Sequence, residues 1–297
     1  MPSMSLSAEI AKHIAAETGA AFHARRQRSV GGGCINSAMI LEGNDKQFFV
    51  KLNQGAQIEM FAAELEGLRE IQQSHTLRAP TPICCGDAQG YAYLVLEYVP
   101  HGKPGEHSME QFGRDLARMH AVTSERYGWR RDNTIGSTPQ VNTWCNGWSE
   151  FWRMHRLEFQ LRLAADNGYG GALQSKGEAL LGELEAFFED YTPQPSLLHG
   201  DLWSGNYMID DRGEPVIFDP AVYYGDREAD LAMTELFGGF PSRFYAAYRD
   251  AYPLHPGYAL RKTLYNLYHV LNHLNLFGGG YRRQAEDMIE ALLGAIH

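Results

Sequence analysis

A short polar motif set between apolar segments constrains the fold of this chain more than any other feature. It reads HGDLWSGNYMIDDRGEPVIFDP and runs from His199 to Pro220. Turn chemistry explains any single Asp, Asn or Gly in it. It does not explain the spacing, because His199, Asp201 and Asn206 follow the pattern H-x-D-x-x-x-x-N of the kinase catalytic loop. Asp219 then comes thirteen residues after Asn206, at the end of a predicted hairpin.

The motif contains groups that phosphoryl transfer requires. That reaction needs a carboxylate beside the attacking hydroxyl, ligands for magnesium and cations for the phosphates. We predict that Asp201 is the catalytic residue, which orients the hydroxyl and accepts its proton. Asn206 and Asp219 are predicted to bind Mg²⁺. ATP and Mg²⁺ are therefore the expected cofactors.

The N-terminal hundred residues contain the remaining parts of a kinase site in the expected order. Lys51 ends the strand-like segment FFVK and corresponds to the kinase lysine on the third strand. Glu64, on the next predicted helix, is expected to pair with Lys51. A glycine-rich loop precedes both and can place backbone N–H groups along the phosphates. Its candidate nucleotide-binding residues are Gly31, Gly32, Gly33, Cys34, Ile35 and Asn36.

The strand YLVLEYV is predicted to lead to a hinge and to border the adenine. Glu97 and Val99 are expected to offer backbone groups to the adenine edge, with Leu96 at the back of the pocket. Each of these residues has an ordinary alternative role, such as a solvated lysine or a turn-forming aspartate. Five elements in the right order on the right element types favour the kinase interpretation over that alternative.

The pattern of elements predicts an α+β, bilobal protein-kinase-like fold. Three strands, a helix and a hairpin fill the first hundred residues, and helical periodicity dominates from about His107 onward. This organisation predicts a small β-rich N-terminal nucleotide-binding lobe, residues 1–100, and a larger, mainly helical C-terminal catalytic and substrate lobe, residues 101–297. The hinge is expected near Tyr98 to Pro104, and the motif is the one strand-like segment expected in the larger lobe.

Charge and composition exclude several other classes of protein. The net charge of −10 argues against a nucleic-acid partner, and the basic run Arg25, Arg26 and Arg28 reads as a solvated strand face. We find no apolar segment long enough for a membrane span and no signal peptide, since the N terminus reads as an amphipathic helix. The four cysteines lack CxxC spacing, so a reduced, cytoplasmic setting is expected.

Several segments closely resemble the fructosamine (ketosamine) 3-kinase family, which has the aminoglycoside-phosphotransferase-like version of the protein-kinase fold. They are HGDLWSGN, FDPAVYYGDREADLAM, ELFGGF and YNLYHVLNHLNLFGGGY, and the resemblance extends from GGGCIN to the last helix. Gly200 stands where protein kinases have arginine, a departure that suits small-molecule kinases. No A-P-E segment follows Asp219, which also disfavours a protein kinase.

The resemblance implies transfer of the ATP γ-phosphate to the C3 hydroxyl of a ketosamine. The acceptors it implies are ribulosamines, erythrulosamines and fructosamines, either as small molecules or on protein lysines. A phosphate at C3 can leave once the C1–C2 unit enolises, so phosphorylation would promote release of the amine. The sequence does not choose among these sugars and amines.

The resemblance also implies roles for three further residues. Trp203 is expected to form a platform for the sugar ring, and His199 is expected at the same acceptor site. A redox-sensitive cysteine in the glycine-rich loop would make Cys34 a possible link between two chains. The sequence therefore leaves both a monomer and a homodimer open.

Two alternative functions remain open on sequence grounds. One is a kinase for an aminoglycoside, choline or homoserine. A site for a polycationic aminoglycoside would need many acidic residues after the catalytic loop, and Asp226, Glu228 and Asp230 are few for that purpose. The other is a pseudokinase that binds without catalysis, which the intact set of catalytic residues disfavours.

A few other residues receive structural predictions. Asp230 is expected to hold the catalytic loop by hydrogen bonds rather than to touch substrate. The aromatic patch of Trp144, Trp148 and Phe151 is expected in the core. His269 and His273 lie four residues apart on one helix but lack a third ligand for a metal.

Overall fold

The computed structural model describes residues 5–31, 36–43 and 45–296. The predictions for Gly32, Gly33, Cys34 and Ile35 therefore lie outside the described residues, and the Cys34 redox link stays a prediction. Gly31 and Asn36 border that segment on either side.

The N-terminal lobe is one antiparallel sheet of five strands with a helix on each face. The strand order is β1-β2-β3-β5-β4. Its elements are α1 (Leu6–Thr18), β1 (Arg26–Val30), β2 (Ser37–Glu42), β3 (Gln47–Gln54), α2 (Ile58–Gln73), β4 (Pro82–Ala88) and β5 (Tyr91–Glu97). Successive side chains of a strand point to opposite faces of the sheet. Ala92 and Leu94 of β5 therefore pack with α2, whereas Tyr93 and Val95 pack with α1. This arrangement confirms the predicted strands, the hairpin and the N-terminal helix.

The C-terminal lobe is mainly helical, as predicted. Its helices are α3 (Ser108–His120), α4 (Trp148–Trp152), α5 (Glu158–Asp166), α6 (Ala172–Gly182), α7 (Arg227–Leu236), α8 (Ser242–Ala251), α9 (Tyr258–Phe277) and α10 (Arg282–Ile296). A π-helical turn, Arg153–Leu157, joins α4 to α5. Within the described ranges, no helix is both long and apolar enough to cross a bilayer. The division into domains at residue 100 stays a prediction.

Three pairs of short antiparallel strands interrupt this lobe. They are β6 (Asn133–Ile135) with β7 (Thr138–Gln140), β8 (Ser196–Leu198) with β11 (Tyr223–Gly225), and β9 (Tyr207–Ile209) with β10 (Pro215–Ile217). The expectation that the motif is the one strand-like segment here is therefore wrong. Strands of three residues are too short to show the alternation that identifies a strand in sequence.

Helix α7 is an element that the sequence analysis did not predict. Every residue from Arg227 to Thr234 is buried. Charged residues, among them Arg227, Glu228 and Asp230, occupy several of these buried positions, so the polar residues of this helix do not mark a face in water. Its first turn carries Asp230.

Candidate active site

Buried Asp230 holds the start of the catalytic loop. The loop leaves β8 at Leu198, and Asp230 accepts the backbone N–H of His199 at 2.7 Å and that of Gly200 at 2.8 Å. His120 Nε2 lies 3.1 Å from the same carboxylate. Burial alone would raise the pKa of Asp230, but these hydrogen bonds outweigh it and lower that pKa. Asp230 is thus a charged anchor for the loop, and its predicted role is confirmed.

Gly200 lets the catalytic loop lie directly against the segment that follows Asp219. Its φ is +83°, and a Cβ at this position would lie 2.1 Å from the carbonyl oxygen of Ala221. The Ala221 N–H donates to the His199 carbonyl at 2.8 Å. A side chain at residue 200 would force these two segments apart, which is the physical reason for glycine where protein kinases have arginine.

His199 differs from the expectation that it contacts the acceptor. Its side chain is fully buried. Nε2–H donates to the Phe218 carbonyl at 2.9 Å, and Nδ1 accepts the Asp201 N–H at 3.2 Å. Burial lowers the pKa of His199, which matches this neutral tautomer. With both ring nitrogens bonded to backbone, His199 shapes the loop and offers no group to a substrate.

Asp201 and Asn206 lie side by side across the loop. Asn206 Nδ2 donates to the Asp201 backbone carbonyl at 2.8 Å and to its carboxylate at 3.1 Å. Burial, together with the nearby charge of Asp219, raises the pKa of Asp201 well above its usual range. A carboxylate with a raised pKa is a better proton acceptor than an ordinary surface aspartate.

Lys51 bridges the two lobes through two carboxylates. Its Nζ lies 2.5 Å from Glu64 Oε1 on α2 and 2.6 Å from Asp219 Oδ1 beyond β10. Burial alone would lower the pKa of Lys51, but Asp219 and Glu64 outweigh it and raise that pKa above its usual range. Lys51 therefore stays charged at the junction of the two lobes.

The donor set around Asp219 fits a magnesium site that the nucleotide completes. The Phe218 N–H donates to the Asn206 carbonyl at 3.0 Å, which places Asp219 next to the residue that carries the second predicted ligand. Over the described ranges, no group of three or more His, Cys, Asp or Glu side chains could hold a metal by itself. Mg²⁺ ordinarily takes one or two carboxylates, with phosphates and waters supplying its other ligands. One carboxylate and one amide oxygen are consistent with that pattern.

The predicted hinge residues lie at the end of β5. Leu96 and Val99 are buried. The Glu97 side chain accepts from Arg78 Nη2 at 2.8 Å and from the Thr81 backbone N–H at 3.0 Å. The Glu97 N–H donates to the Thr81 carbonyl at 2.8 Å, so neither the side chain nor the N–H of Glu97 is left for an adenine. The adenine contacts of Glu97 and Val99 stay predictions.

Arg78 is a residue that the sequence analysis missed. Besides Glu97, it bonds to the fully buried Asp210 between β9 and β10. The Gly102 N–H donates to the Ile209 carbonyl at 2.8 Å in the same region. These contacts join the hinge to the hairpin between Asn206 and Asp219. A single arginine in a loop carries no sequence signal of such a role.

Trp203 lies at the edge of a partly exposed row of aromatic rings, which we call the aromatic ledge: Trp203, Phe237, His273 and Phe277. Trp203 is 37% exposed and contacts the edge of Phe237, with ring centroids 6.2 Å apart. Phe237 packs on His273 at 4.9 Å, and His273 packs on Phe277, which is 57% exposed. The sequence analysis singled out Trp203 as an aromatic platform. The structure adds Phe237, which follows α7, and His273 and Phe277, which lie on α9.

Two further predictions concern the aromatic patch and the histidine pair of α9. Trp148 and Phe151 are buried, which confirms their place in the core, and Trp144 is partly buried against Tyr224. His273 Nδ1 donates to the His269 backbone carbonyl at 2.7 Å.

Comparison with known proteins gives consistent matches. A family profile described as fructosamine kinase matches residues 6–295. A "Probable ketoamine kinase" of Synechocystis sp. is 49% identical over 289 residues, covering 96% of this chain and 96% of the relative. A chloroplastic "Protein-ribulosamine 3-kinase" of Arabidopsis thaliana is 45% identical over 268 residues, covering 89% and 82%.

Solved structures show the same likeness. A crystal structure described as "Putative fructosamine-3-kinase" from Haemophilus somnus superposes with a TM-score of 0.88 at 28% identity, covering 96% of each chain. An aminoglycoside phosphotransferase, APH(4)-Ia, superposes with a TM-score of 0.59 at 16% identity and covers 96% of this chain and 98% of its own. The second likeness shows the fold alone, and it confirms the predicted bilobal kinase-like architecture.

Proposed function

Because this chain belongs to the fructosamine kinase family, we propose that it transfers the γ-phosphate of ATP to the C3 hydroxyl of a ketosamine. The observation that carries the proposal is the assembled Lys51–Glu64–Asp219 arrangement beside Asp201. A pseudokinase has no need for this arrangement, whereas phosphoryl transfer depends on it.

We assign the chemical roles as follows. Lys51, held by Glu64, neutralises charge on the ATP phosphates. Asn206 and Asp219 would hold Mg²⁺, which would offset the charge of the phosphates when bound. Asp201 orients the acceptor hydroxyl and takes its proton. The backbone groups of Gly31 and Asn36 are assigned to the phosphates.

The acidic residues after the catalytic loop argue against a polycationic acceptor. Asp226 is fully buried, where it caps α7 and accepts the Tyr265 hydroxyl at 2.5 Å. Glu228 is buried in an ion pair with Arg261 at 2.8 Å. Asp230 is occupied by the catalytic loop. None of the three is available to an aminoglycoside, so this alternative loses its main support.

The aromatic ledge favours a sugar acceptor. An exposed indole beside the catalytic loop offers a flat apolar face, and one face of a sugar ring presents its C–H groups in the same way. The two curated relatives are described as kinases of ketoamines and ribulosamines. We therefore propose ribulosamines, erythrulosamines and fructosamines as the acceptor class, on small amines or on protein lysines.

A panel of acceptors tests this function directly. We expect Mg²⁺-dependent ADP formation with one or more of the ribulose-, erythrulose- and fructose-amines, and little with aminoglycosides or choline. Phosphorus NMR should locate the new phosphate on C3, and release of the free amine should follow. A ribulosylated lysine peptide in the panel distinguishes protein-bound from small acceptors. Turnover of choline or an aminoglycoside with no turnover of any ketosamine would contradict the proposal.

Replacing Trp203 by Ala is expected to weaken binding of the acceptor and not of ATP. Loss of an aromatic contact costs about 1 kcal/mol, so we expect the KM for the ketosamine to rise by about fivefold. The KM for ATP should stay nearly constant, because Trp203 takes no part in the Lys51–Glu64–Asp219 arrangement. Tyr91→Ala removes an aromatic ring that is 50% exposed on the β4–β5 hairpin and serves as the control. A rise in the KM for ATP alone would contradict the assignment of Trp203 to the acceptor site.

A further inference from the structure

Helix α2 carries a second set of carboxylates besides Glu64. Glu59, Glu66 and Glu70 are spaced seven and four residues apart, so they share one side of the helix. Two adjacent arginines of the C-terminal lobe, Arg130 and Arg131, lie opposite this side. We call these five residues the α2 network.

The α2 network is a connected set of ion pairs. Arg131 contacts Glu66 at 2.5 Å and Glu59 at 2.8 Å. Arg130 contacts the other oxygen of Glu66 at 3.1 Å and Glu70 at 2.8 Å. Glu66 is therefore shared by both guanidinium groups, and its pKa is lowered because their hydrogen bonds outweigh its partial burial. Such a shared geometry contributes more than isolated surface pairs do.

The two arginines are anchored to the strands that carry the catalytic loop. The N–H of Gly128 donates to the Tyr224 carbonyl at 2.9 Å, and the Tyr224 N–H donates back at 2.8 Å. Tyr224 lies in β11, which pairs with β8, the strand that ends at the start of the catalytic loop. The Arg131 carbonyl also accepts the Asn142 side chain at 3.2 Å. The arginines thus have fixed positions relative to the catalytic loop.

Helix α2 also touches the strand that follows Asp219. The hydroxyl of Tyr224 donates to Glu70 at 2.8 Å. Gly67 faces Val222, and a Cβ on Gly67 would lie 3.2 Å from that side chain. The close approach at Gly67 and the ion pairs therefore both hold α2, the helix that carries Glu64.

We propose that Arg130 and Arg131 are positioning residues, which hold α2 against the C-terminal lobe and so keep Glu64 and Lys51 aligned on the ATP phosphates. Neither arginine contacts the Lys51–Glu64 pair in the ion pairs described above, so each acts through α2. In protein kinases this helix is positioned through phosphorylation of an activation loop. Here contacts within the chain set its position, so an ATP-ready small lobe needs no modification. The inference rests on the proposed kinase function.

Direct measurement of Mg·ATP binding by calorimetry tests this proposal without any acceptor. The double variant Arg130→Gln/Arg131→Gln should raise the Kd for Mg·ATP by about fivefold, since it removes several partly exposed pairs. Arg130→Lys/Arg131→Lys keeps both charges and should recover most of the affinity. Arg282→Gln/Arg283→Gln is the matched control, because these adjacent arginines of α10 pair with Glu286 and Asp287 on their own helix. It should leave the Kd unchanged.

A double-mutant cycle with Glu64→Gln separates positioning from a general structural effect. If the arginines act through Glu64, the Gln/Gln substitution should change the Kd much less in the Glu64→Gln background than in the wild type. An equal change in both backgrounds, an unchanged Kd, or an equal change in the α10 control would overturn the proposal. A ketosamine panel without turnover would instead count against the proposed function, so the two failures are distinguishable.

Discussion

Replacing Asp201 by Asn is expected to lower the kcat of phosphoryl transfer by a factor on the order of hundreds or more, the usual scale for a group that moves a proton in catalysis. The amide keeps the shape of the side chain and can still bond to Asn206, which now donates to the carboxylate at 3.1 Å. It cannot accept the hydroxyl proton. The Kd for Mg·ATP should barely change, because Lys51, Glu64 and Asp219 are intact.

Asp211→Asn is the matched control for this prediction. Asp211 is exposed and lies in the hairpin after the catalytic loop, so the same chemical change there removes no catalytic group. Steady-state turnover and calorimetric ATP binding should be measured on both variants. Near wild-type turnover by Asp201→Asn would show that the catalytic loop has been assigned incorrectly.

Replacing Asp219 by Asn is expected to weaken magnesium dependence and turnover together. Asp219 has a φ of +58°, a left-handed conformation that Asn adopts about as readily as Asp, so the change removes charge without straining the backbone. It also removes one of the two carboxylates that contact Lys51. We expect the magnesium concentration for half-maximal activity to rise by about tenfold or more, the scale seen when support for a metal site is lost.

A magnesium titration of activity at saturating ATP measures this effect. Asp45→Asn changes a carboxylate to an amide at an exposed position before β3 and should leave the titration unchanged. An unaltered titration in Asp219→Asn would contradict the assignment of this carboxylate as a metal ligand.

Much of the small lobe could be predicted because its signals are local. The short apolar runs in SAMILE and QFFVKLNQ mark β2 and β3, and the period of apolar residues in α2 identifies the helix that carries Glu64. Once Lys51 lies on a central strand and Glu64 on the next helix, their pairing follows from kinase geometry. The structure places the two side chains 2.5 Å apart.

Errors and omissions occurred where the signal depends on distant contacts. The sequence analysis places His199 at the acceptor site, but its ring is buried and bonded to the backbone of Phe218 and Asp201. Helix α7 was missed because charged residues such as Arg227 and Asp230 occupy its buried positions, and their partners lie in other segments. Asp226 and Glu228 looked like available acids, and only their buried partners show that they are not.

Motif order and spacing by themselves indicated which residues to assign to the chemistry: Asp201, Asn206 and Asp219 lie within a span of nineteen residues, so chain connectivity keeps them together. Tertiary structure alone decided what holds that site in place. Asp230 reaches back to the catalytic loop, Arg78 reaches Asp210 across 132 residues, and Arg131 reaches Glu66 across 65. No local pattern encodes such a pairing, because the partner of a polar side chain depends on which distant segment the fold brings beside it.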